Sequence, residues 1–425
     1  MKKLVVGFLA ALAIATAGAA FGQVPERIPV PAAAQHVTDP EAATQAYIAT
    51  MTPEQKAKSD AYFEGGYWLI LWDFLVAAGI SLLLLSTRLS AGMRNAAERV
   101  SRRKPVQTFL YWGMYSVLTG VIAFPFNWWK GFVREHNYGL ANQDFGGWMG
   151  DQLKGLAVAV ILGGLFIALL YGVLRRTPQT WWIWGSLTMI VFLMFAVLIA
   201  PVYIDPLFNK YVKLEDPRVK EPILSLARAS GISVNDVYMM DASKQSKRIS
   251  ANVSGLFGTE SIRLNDNLLK RCSLEEIEAV MGHEMGHYVL NHIYKGIVFF
   301  GILIVVGFAF LRWSFAKLAA RYGARWDVRG VGDTAGLPLF VLLFAAYFFV
   351  LTPVVNTLIR VQEYEADIFG LNAAQQPDGF ATTALKLSEY RKISPGKWEE
   401  FIFYDHPSGH TRIYSAMRWK AEHQK

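Results

Sequence analysis

The residues with the clearest potential for chemistry are His283, Glu284 and His287, which form the pattern HExxH. Positions four apart lie on one face of a helix, so both imidazoles can bind a single zinc ion. Glu284, beside the first ligand, can then take a proton from water that the metal activates. The pattern predicts a zinc hydrolase, although three fixed positions also recur by chance in a chain of 425 residues.

The residues around the motif predict a helix. A capping-box sequence (S-x-x-E) begins at Ser273, and apolar residues follow at helical spacing. The longer zinc pattern HExxHxxGxxH is excluded, because Leu290 and Ile293 replace its glycine and its third histidine. On a continuous helix His292 is rotated by roughly 140° from His287, and we interpret it as a satisfied or surface histidine.

A third zinc ligand must come from elsewhere in the chain, and a glutamate is the natural candidate. Glu363 and Asp367 are one helical turn apart and share a face, whereas Glu365 falls on the other side. One carboxylate of this pair can bind zinc while the other holds a ligating histidine in its tautomer. Spacing alone does not decide which of the two contacts the metal, and the acidic, solvated start of a helix is the alternative.

The composition is that of a membrane protein. Hydrophobic residues make up 53% of the chain and aromatic residues 14%, and the mean hydropathy is +0.25, above the values usual for a soluble protein. Residues 1–22, an apolar run after Lys2 and Lys3, predict a cleaved secretory signal, with an uncleaved membrane helix as the alternative. Six further apolar stretches suit membrane helices, at about 66–86, 109–128, 156–174, 181–203, 297–311 and 337–358.

Basic residues concentrate in alternate connections between these stretches. The segment at 87–104 carries six of them against one glutamate, so the positive-inside rule places it in the cytoplasm. Residues 205–295, with the HExxH motif, and the tail after 360 then share the opposite side. The net charge of +8 follows from this orientation and requires no nucleic-acid partner. The single Cys272 excludes an internal disulfide framework and a cysteine-rich metal site.

We predict a mainly α, polytopic membrane protein with a small α/β insertion. Residues 237–240 and 261–264 are strand candidates, and Gly255 and Gly258 suit a hairpin turn after Asn252-Val253. The edge of this hairpin can bind an extended peptide, and a plain structural hairpin is the alternative. The predicted order is a signal peptide at 1–22, an extramembrane segment at 23–65, four membrane helices at 66–204, the insertion with the HExxH helix at 205–295, two membrane helices at 296–359 and a catalytic segment at 360–425.

Several spaced motifs resemble those of the type I CaaX prenyl proteases, which are integral-membrane zinc metalloproteases with a glutamate as third ligand. The likeness extends from about residue 36 onwards. Members of this family enclose a large water-filled chamber with the zinc site at one end. The motifs are HEMGHYVLNH at 283–292, EYEAD at 363–367, DHP at 405–407, and the segments 198–211 and 132–140.

The resemblance also implies roles for individual residues. Without it, His406 would be interpreted as a loop histidine before a proline. The implied roles are these: His283, His287 and Glu363 bind one zinc ion, Glu284 is the general base, Asp367 and Arg412 support the site, His406 stabilises the oxyanion, and Asn252 lies on a substrate-binding edge strand.

The predicted reaction is hydrolysis of peptide bonds by zinc-activated water, with Glu284 taking the proton and returning it to the leaving amine. The expected partners are the lipid bilayer and a peptide or protein substrate, hydrophobic or lipidated. Processing of prenylated protein C termini is one alternative, and a non-catalytic membrane scaffold or holdase is another. Three protein ligands and a base favour an open catalytic site over a closed structural one. The signal-like start and the basic connections suggest a bacterial inner-membrane protein whose catalytic side is periplasmic.

Overall fold

The computed structural model describes residues 27–254 and 260–423. The signal peptide predicted at 1–22 and the predicted turn residues Gly255 and Gly258 lie outside the described residues. In the part of the chain that is described, helices dominate and a four-stranded sheet is inserted among them. The predicted fold class, a mainly α membrane protein with a small α/β insertion, is confirmed.

Five helical segments are long and apolar enough to cross a membrane, over residues 53–86, 104–137, 145–176, 181–207 and 292–326. A bent pair over 334–350 and 352–374 makes a sixth span if the pair is counted as one. Short π-helical segments at 129–133, 159–163 and 200–204 interrupt or extend these spans. The described helices before the sheet are α1 (Ala32–Gln35), α2 (Pro40–Ile48), α3 (Pro53–Ser86), α4 (Leu89–Val100), α5 (Lys104–Trp128), α6 (Arg134–Asn137), α7 (Phe145–Val158), α8 (Gly164–Arg176) and α9 (Trp181–Ile199).

The sheet follows the fourth span. Its strands are β1 (Tyr211–Lys213), β2 (Val237–Met240), β3 (Ala251–Ser254) and β4 (Ser261–Asn265). Their order is β1-β2-β4-β3; β2 and β4 are parallel and the other two pairs are antiparallel. β3 is therefore an edge strand. Both predicted strands are confirmed, as is the pairing of 252–253 with the second of them.

The remaining helices surround the sheet, form the last spans and build the C-terminal segment. They are α10 (Pro217–Ala229), α11 (Asp266–Arg271), α12 (Leu274–Val289), α13 (His292–Trp326), α14 (Leu337–Val350), α15 (Thr352–Ala374), α16 (Pro377–Leu387), α17 (Lys397–Phe403) and α18 (Gly409–His423).

The last two spans differ from the sequence prediction. The fifth apolar stretch, predicted at 297–311, is part of one helix of 35 residues, α13, and the basic residues after 311 form its final turns. The sixth, predicted as continuous over 337–358, is interrupted at Leu351, and the chain bends there by 58°. Pro353, near the start of α15, has no amide hydrogen with which to continue the preceding helix.

A buried ion network joins the basic connections at one end of the bundle. The Arg94 guanidinium lies 2.7 Å from Asp327 and 2.6 Å from Asp333 and is almost fully buried. Arg329 pairs with Glu98 at 3.1 Å. These contacts join the connection after α3 to the connection between α13 and α14. The basic connections thus meet on one side, as their charge pattern predicts.

The opposite end of the bundle carries the sheet and the C-terminal helices. α12 packs on the sheet with one face and contacts α15 and α16 with others. The N-terminal helices α1 and α2 close over α16 and α18 around an apolar core. The Tyr47 hydroxyl donates to Asp378 at 2.7 Å, and Lys420 pairs with the same carboxylate at 2.6 Å. The segment that precedes the first span therefore holds the C-terminal helices in position.

A large open cavity, the chamber, lies beneath this end and is lined by the second and third spans and the sheet. Its volume is about 1100 Å³. Phe124 and Trp148 contribute apolar walls, whereas Asp151, Asn209 and Asn252 contribute polar groups. The predicted chamber is thus present in the fold.

Candidate metal centre

α12 carries the HExxH motif and begins where the sequence predicts. The Ser273 amide donates to the Glu276 carboxylate at 2.7 Å, and the Ser273 hydroxyl accepts from the Glu276 amide at 3.3 Å. These reciprocal bonds satisfy two amides that have no partner within the helix. The helix ends before Asn291, whose φ of 59° turns the chain into α13. The motif therefore lies on a short helix held at both ends.

Small residues allow α12 and α15 to cross in contact. A Cβ added at Gly282 would lie 3.0 Å from the Gly370 carbonyl oxygen, and one added at Gly286 would lie 3.1 Å from the Ala366 Cα. A Cβ at Gly370 would approach the His283 amide nitrogen to 2.7 Å. Larger residues at these positions would force the helices apart. The crossing brings the acidic motif of α15 against the histidines of α12.

Three predicted ligand residues converge at this crossing. The Nε2 atoms of His283 and His287 are 3.1 Å apart. The Glu363 carboxylate lies 3.3 Å from each of them, one oxygen toward each ring. All three residues offer ligand atoms within 4.8 Å of one another. Ligands of a tetrahedral zinc ion bound at about 2.0 Å are separated by roughly 3.3 Å, so the set has the spacing that zinc requires.

Asp367 and Arg412 support two of these ligands. His283 Nδ1 lies 2.7 Å from the Asp367 carboxylate, which is 1% exposed. Arg412 contacts Asp367 at 3.0 Å and Glu363 at 3.3 Å. An anion at Nδ1 keeps the proton on that nitrogen and leaves the Nε2 lone pair for a metal. Glu363 is thus the carboxylate that meets the Nε2 atoms of both histidines, a choice that sequence spacing left open.

A second chain of contacts orients His287. Its Nδ1 lies 2.8 Å from His292 Nδ1, and His292 Nε2 lies 3.0 Å from Glu365. Glu365 also pairs with Lys295 at 2.7 Å. The carboxylate accepts only from a protonated His292 Nε2, so His292 Nδ1 accepts from His287 Nδ1. His287 Nε2 consequently carries a lone pair, like Nε2 of His283.

The donor set fits a divalent cation. Two imidazole lone pairs and a carboxylate point at a common centre, and in these tautomers no proton lies between them. The electrostatic repulsion among them is relieved by a positive ion. Burial lowers the pKa of His283, but contacts with Asp367 and Glu363 outweigh burial and raise that pKa to about 9. The same negative field that favours an additional proton favours a metal ion.

Glu284 faces the cavity beside this centre. The cavity has a volume of about 210 Å³, and both Glu284 and Glu363 line it. Burial raises the pKa of Glu284, while His283 and His287 act in the opposite direction. A raised pKa brings a carboxylate closer to the basicity that a general base needs near neutral pH.

His406 reaches the centre from the loop before α18. Its Nε2 lies 3.2 Å from Glu363, and its Nδ1 lies 2.8 Å from Asp405. Burial lowers the pKa of His406, whereas Asp405 favours the protonated ring. Because the Nδ1 proton is donated to Asp405, Nε2 can donate only when the ring is charged.

Asn252 lies on the edge strand β3, but away from the small cavity. Its exposed side chain lines the larger cavity between the membrane helices. Ser250 and Ala251, which precede it, line the small cavity together with His283. β3 therefore runs from the candidate metal centre toward the chamber.

The structure decides between the two interpretations of His292, as a satisfied or a surface histidine. It lies outside the three converging ligands and is 4% exposed, and its two ring nitrogens contact His287 and Glu365, so it is a buried, satisfied histidine. The rotation angle assumed one continuous helix, whereas Asn291 turns the chain and starts α13. Glu365, predicted to face away from the ligand pair, is the partner of His292. The available signal in the sequence was a histidine directly after an asparagine, a residue type that can end a helix.

Comparison with known proteins identifies the class. Residues 213–420 match the family model of peptidase family M48, and residues 33–210 match the model described as CAAX prenyl protease N-terminal, five membrane helices. Fold, site and these matches define an integral-membrane metalloprotease. The chain belongs to peptidase family M48. Membership implies that the site holds a divalent metal, and the donor set described above fits one.

Individual relatives agree with this assignment. The chain is 28% identical over 384 residues to the uncharacterized metalloprotease YhfN of Bacillus subtilis, covering 88% of each chain. It is 32% identical over 194 residues to CAAX prenyl protease 1 of Saccharomyces cerevisiae, covering 45% of this chain and 43% of that protein. The crystal structure of S. mikatae Ste24p has the same fold, with a TM-score of 0.74 at 23% identity over 86% of this chain and 89% of that one.

Replacing His292 by alanine is expected to weaken metal binding. The substitution leaves His287 Nδ1 without its acceptor, and loss of such a supporting contact lowers metal affinity by about 10- to 100-fold. Chelator competition on the purified protein measures the zinc dissociation constant. His136→Ala, which removes an exposed histidine far from the site, is the control. Equal affinity in the two variants would contradict a supporting role for His292.

Proposed function

We propose that this protein is a zinc endopeptidase that hydrolyses peptide bonds at the end of its membrane chamber. The observation that carries the proposal is the convergence of His283, His287 and Glu363 at 3.1–3.3 Å beside the cavity that Glu284 lines. His283, His287 and Glu363 would hold one zinc ion. When bound, zinc lowers the pKa of water and polarises a carbonyl group.

Glu284 is the proposed general base and acid. It lines the cavity and makes no hydrogen bond to any described residue, so its carboxylate is free to accept a proton from water. The hydroxide formed attacks the scissile carbonyl carbon, and Glu284 then passes the proton to the leaving amine nitrogen. Its raised pKa suits both transfers.

His406 is proposed to stabilise the negative charge that develops on the carbonyl oxygen. When Nε2 is protonated it can donate a hydrogen bond to that oxygen, and Asp405 at 2.8 Å holds the ring and offsets part of the burial that lowers its pKa. Arg412 keeps Glu363 and Asp367 in place and so maintains the positions of the ligands.

The substrate is proposed to bind as an extended peptide along β3. This strand is at the edge of the sheet, and an edge offers unpaired backbone groups that can add another strand. Ser250 and Ala251 lie at the small cavity, and Asn252 lies at the larger one. A peptide on this edge would connect the chamber with the metal centre.

Glu284→Gln tests this mechanism directly. The amide keeps the shape of the side chain but cannot accept the proton, so we expect bound zinc to persist and kcat to fall by about 10²- to 10⁴-fold. Zinc content and cleavage of a complex peptide mixture are measured on protein purified in detergent. Glu275→Gln, an exposed change on the same helix, should leave both unchanged. Undiminished cleavage by Glu284→Gln would refute the assignment and favour a non-catalytic scaffold or holdase.

Processing of prenylated protein C termini is a second candidate function. It is supported by the match of residues 33–210 to the membrane region of CAAX prenyl proteases and by the likeness to CAAX prenyl protease 1. A hydrophobic peptide ending in a C-terminal cysteine motif, with and without a farnesyl thioether, separates the two functions. A general endopeptidase is expected to cleave both peptides. Cleavage of the farnesylated member alone would favour the second function.

We further propose that the protein lies in a bacterial inner membrane with its catalytic side in the periplasm. Arg94 and Arg329 join the basic connections at the end of the bundle away from the metal centre, and the positive charge there supports a cytoplasmic position for that end. In a Cys272→Ala background, Lys397→Cys, exposed at the catalytic end, should react with an impermeant maleimide in intact cells. Arg102→Cys, exposed at the basic end, should react only after lysis. The reverse labelling pattern would contradict this topology.

A further inference from the structure

The turn after α16 places three polar residues side by side, and two of them have partners. The Arg248 guanidinium lies over the Tyr390 ring at 5.3 Å from its centroid. Lys392 pairs with Glu64 at 2.7 Å and with Glu399 at 2.9 Å. The side chain of Arg391, between them, makes no hydrogen bond or ion pair with any described residue.

Arg391 lines the small cavity that also contains the candidate metal centre. Glu284, Glu363 and His406 form other parts of the same wall. Arg391 therefore borders the space in which a substrate would be cleaved, and its guanidinium interacts electrostatically with Glu363, Asp405 and Arg412 around that space.

The acidic groups nearby are engaged elsewhere. Asp405 is bound to His406 at 2.8 Å, and Arg412 already contacts Glu363 and Asp367. No carboxylate of the described residues lies within 4.0 Å of the Arg391 guanidinium. Burial and the neighbouring charge of Arg412 lower the pKa of Arg391, although a guanidinium remains charged in proteins.

Arg391 is partly buried, and a guanidinium that loses part of its hydration without gaining a protein partner is destabilised. The guanidinium presents five N–H donors in a planar fork, which matches the two oxygens of a carboxylate. A ligand with a carboxylate at this point in the cavity would supply the missing partner.

We propose that Arg391 is a specificity residue that binds a carboxylate of the peptide substrate. The proposal rests on the proposed peptidase function and adds to it the chemical class of group that the site selects. The carboxylate has two sources in a peptide: the C-terminal α-carboxyl group or the side chain of an aspartate or glutamate. Both offer the same bidentate acceptor, and the experiment separates them.

The experiment uses one peptide that the wild-type protein cleaves, prepared in matched forms. One form has a free C-terminal acid, a second has a C-terminal amide, and a third has each acidic side chain replaced by its amide. Arg391→Gln, Arg391→Lys and wild type are compared, with Arg218→Gln as an exposed arginine control far from the cavity. Zinc content and thermal unfolding are measured for each variant.

We expect Arg391→Gln to raise KM about 10- to 100-fold for the form that carries the recognised carboxylate, with kcat little changed. The corresponding neutral form should be a poor substrate for wild type and should lose nothing further in the variant. Arg391→Lys should retain part of the preference because it keeps the charge. If amidation of the C terminus removes the difference between wild type and Arg391→Gln, the recognised group is the α-carboxylate. If replacing the acidic side chains by amides removes that difference, the recognised group is a side-chain carboxylate.

An equal rise of KM for all forms, or no discrimination by wild type, would overturn the role of Arg391. Such a result leaves the peptidase function intact, because wild-type cleavage of any form supports that function independently. If wild type cleaves none of the peptides in the initial mixture, both proposals fail. Unchanged zinc content and unfolding temperature in Arg391→Gln exclude loss of the fold as the cause of a change in KM.

Discussion

The close crossing of α12 and α15 is the contact on which the rest of the site depends. Gly282 and Gly286 on one helix meet Ala366 and Gly370 on the other so closely that an added Cβ would lie 2.7–3.1 Å from the facing helix. The crossing brings Glu363 to His287 across 76 positions of the chain (363 minus 287). The intervening segment is α13 and α14, which run across the membrane and back. The metal centre can therefore form only when the membrane hairpin has folded.

Two series of side-chain contacts, here called supporting chains, hold the two histidines at this crossing. His283 is held by Asp367, which Arg412 contacts; His287 is held through His292 by Glu365. Each chain puts a proton on Nδ1 and frees Nε2, so both rings present lone pairs to one centre. The carboxylate of the third residue completes a negative pocket that favours a cation.

Contacts between residues close in the sequence could be predicted, whereas contacts between distant parts of the chain could not. Local patterns gave the Ser273 cap, the helix of the motif and both β-strands, because these depend on neighbouring residues. The pairing of Glu363 with the histidines could not be chosen over Asp367 from spacing, since it depends on how α15 rotates at the bend near Leu351. The contact of His292 with His287 could not be predicted, because Asn291 ends the helix that the rotation angle takes as continuous. Arg391 carried no sequence signal, since its importance lies in the absence of a partner in the folded chain.

The most direct measurement of the central claim is the zinc K-edge absorption spectrum of the purified protein. The proposed centre predicts one zinc ion per chain with two imidazole nitrogens and one carboxylate at about 2.0–2.2 Å, and a fourth light atom from solvent. Glu363→Gln should lower zinc affinity and change this shell, whereas Glu365→Gln should preserve the ligand count. A shell with a third imidazole in place of the carboxylate, or protein that binds no zinc, would contradict the assignment of His283, His287 and Glu363 as the ligands.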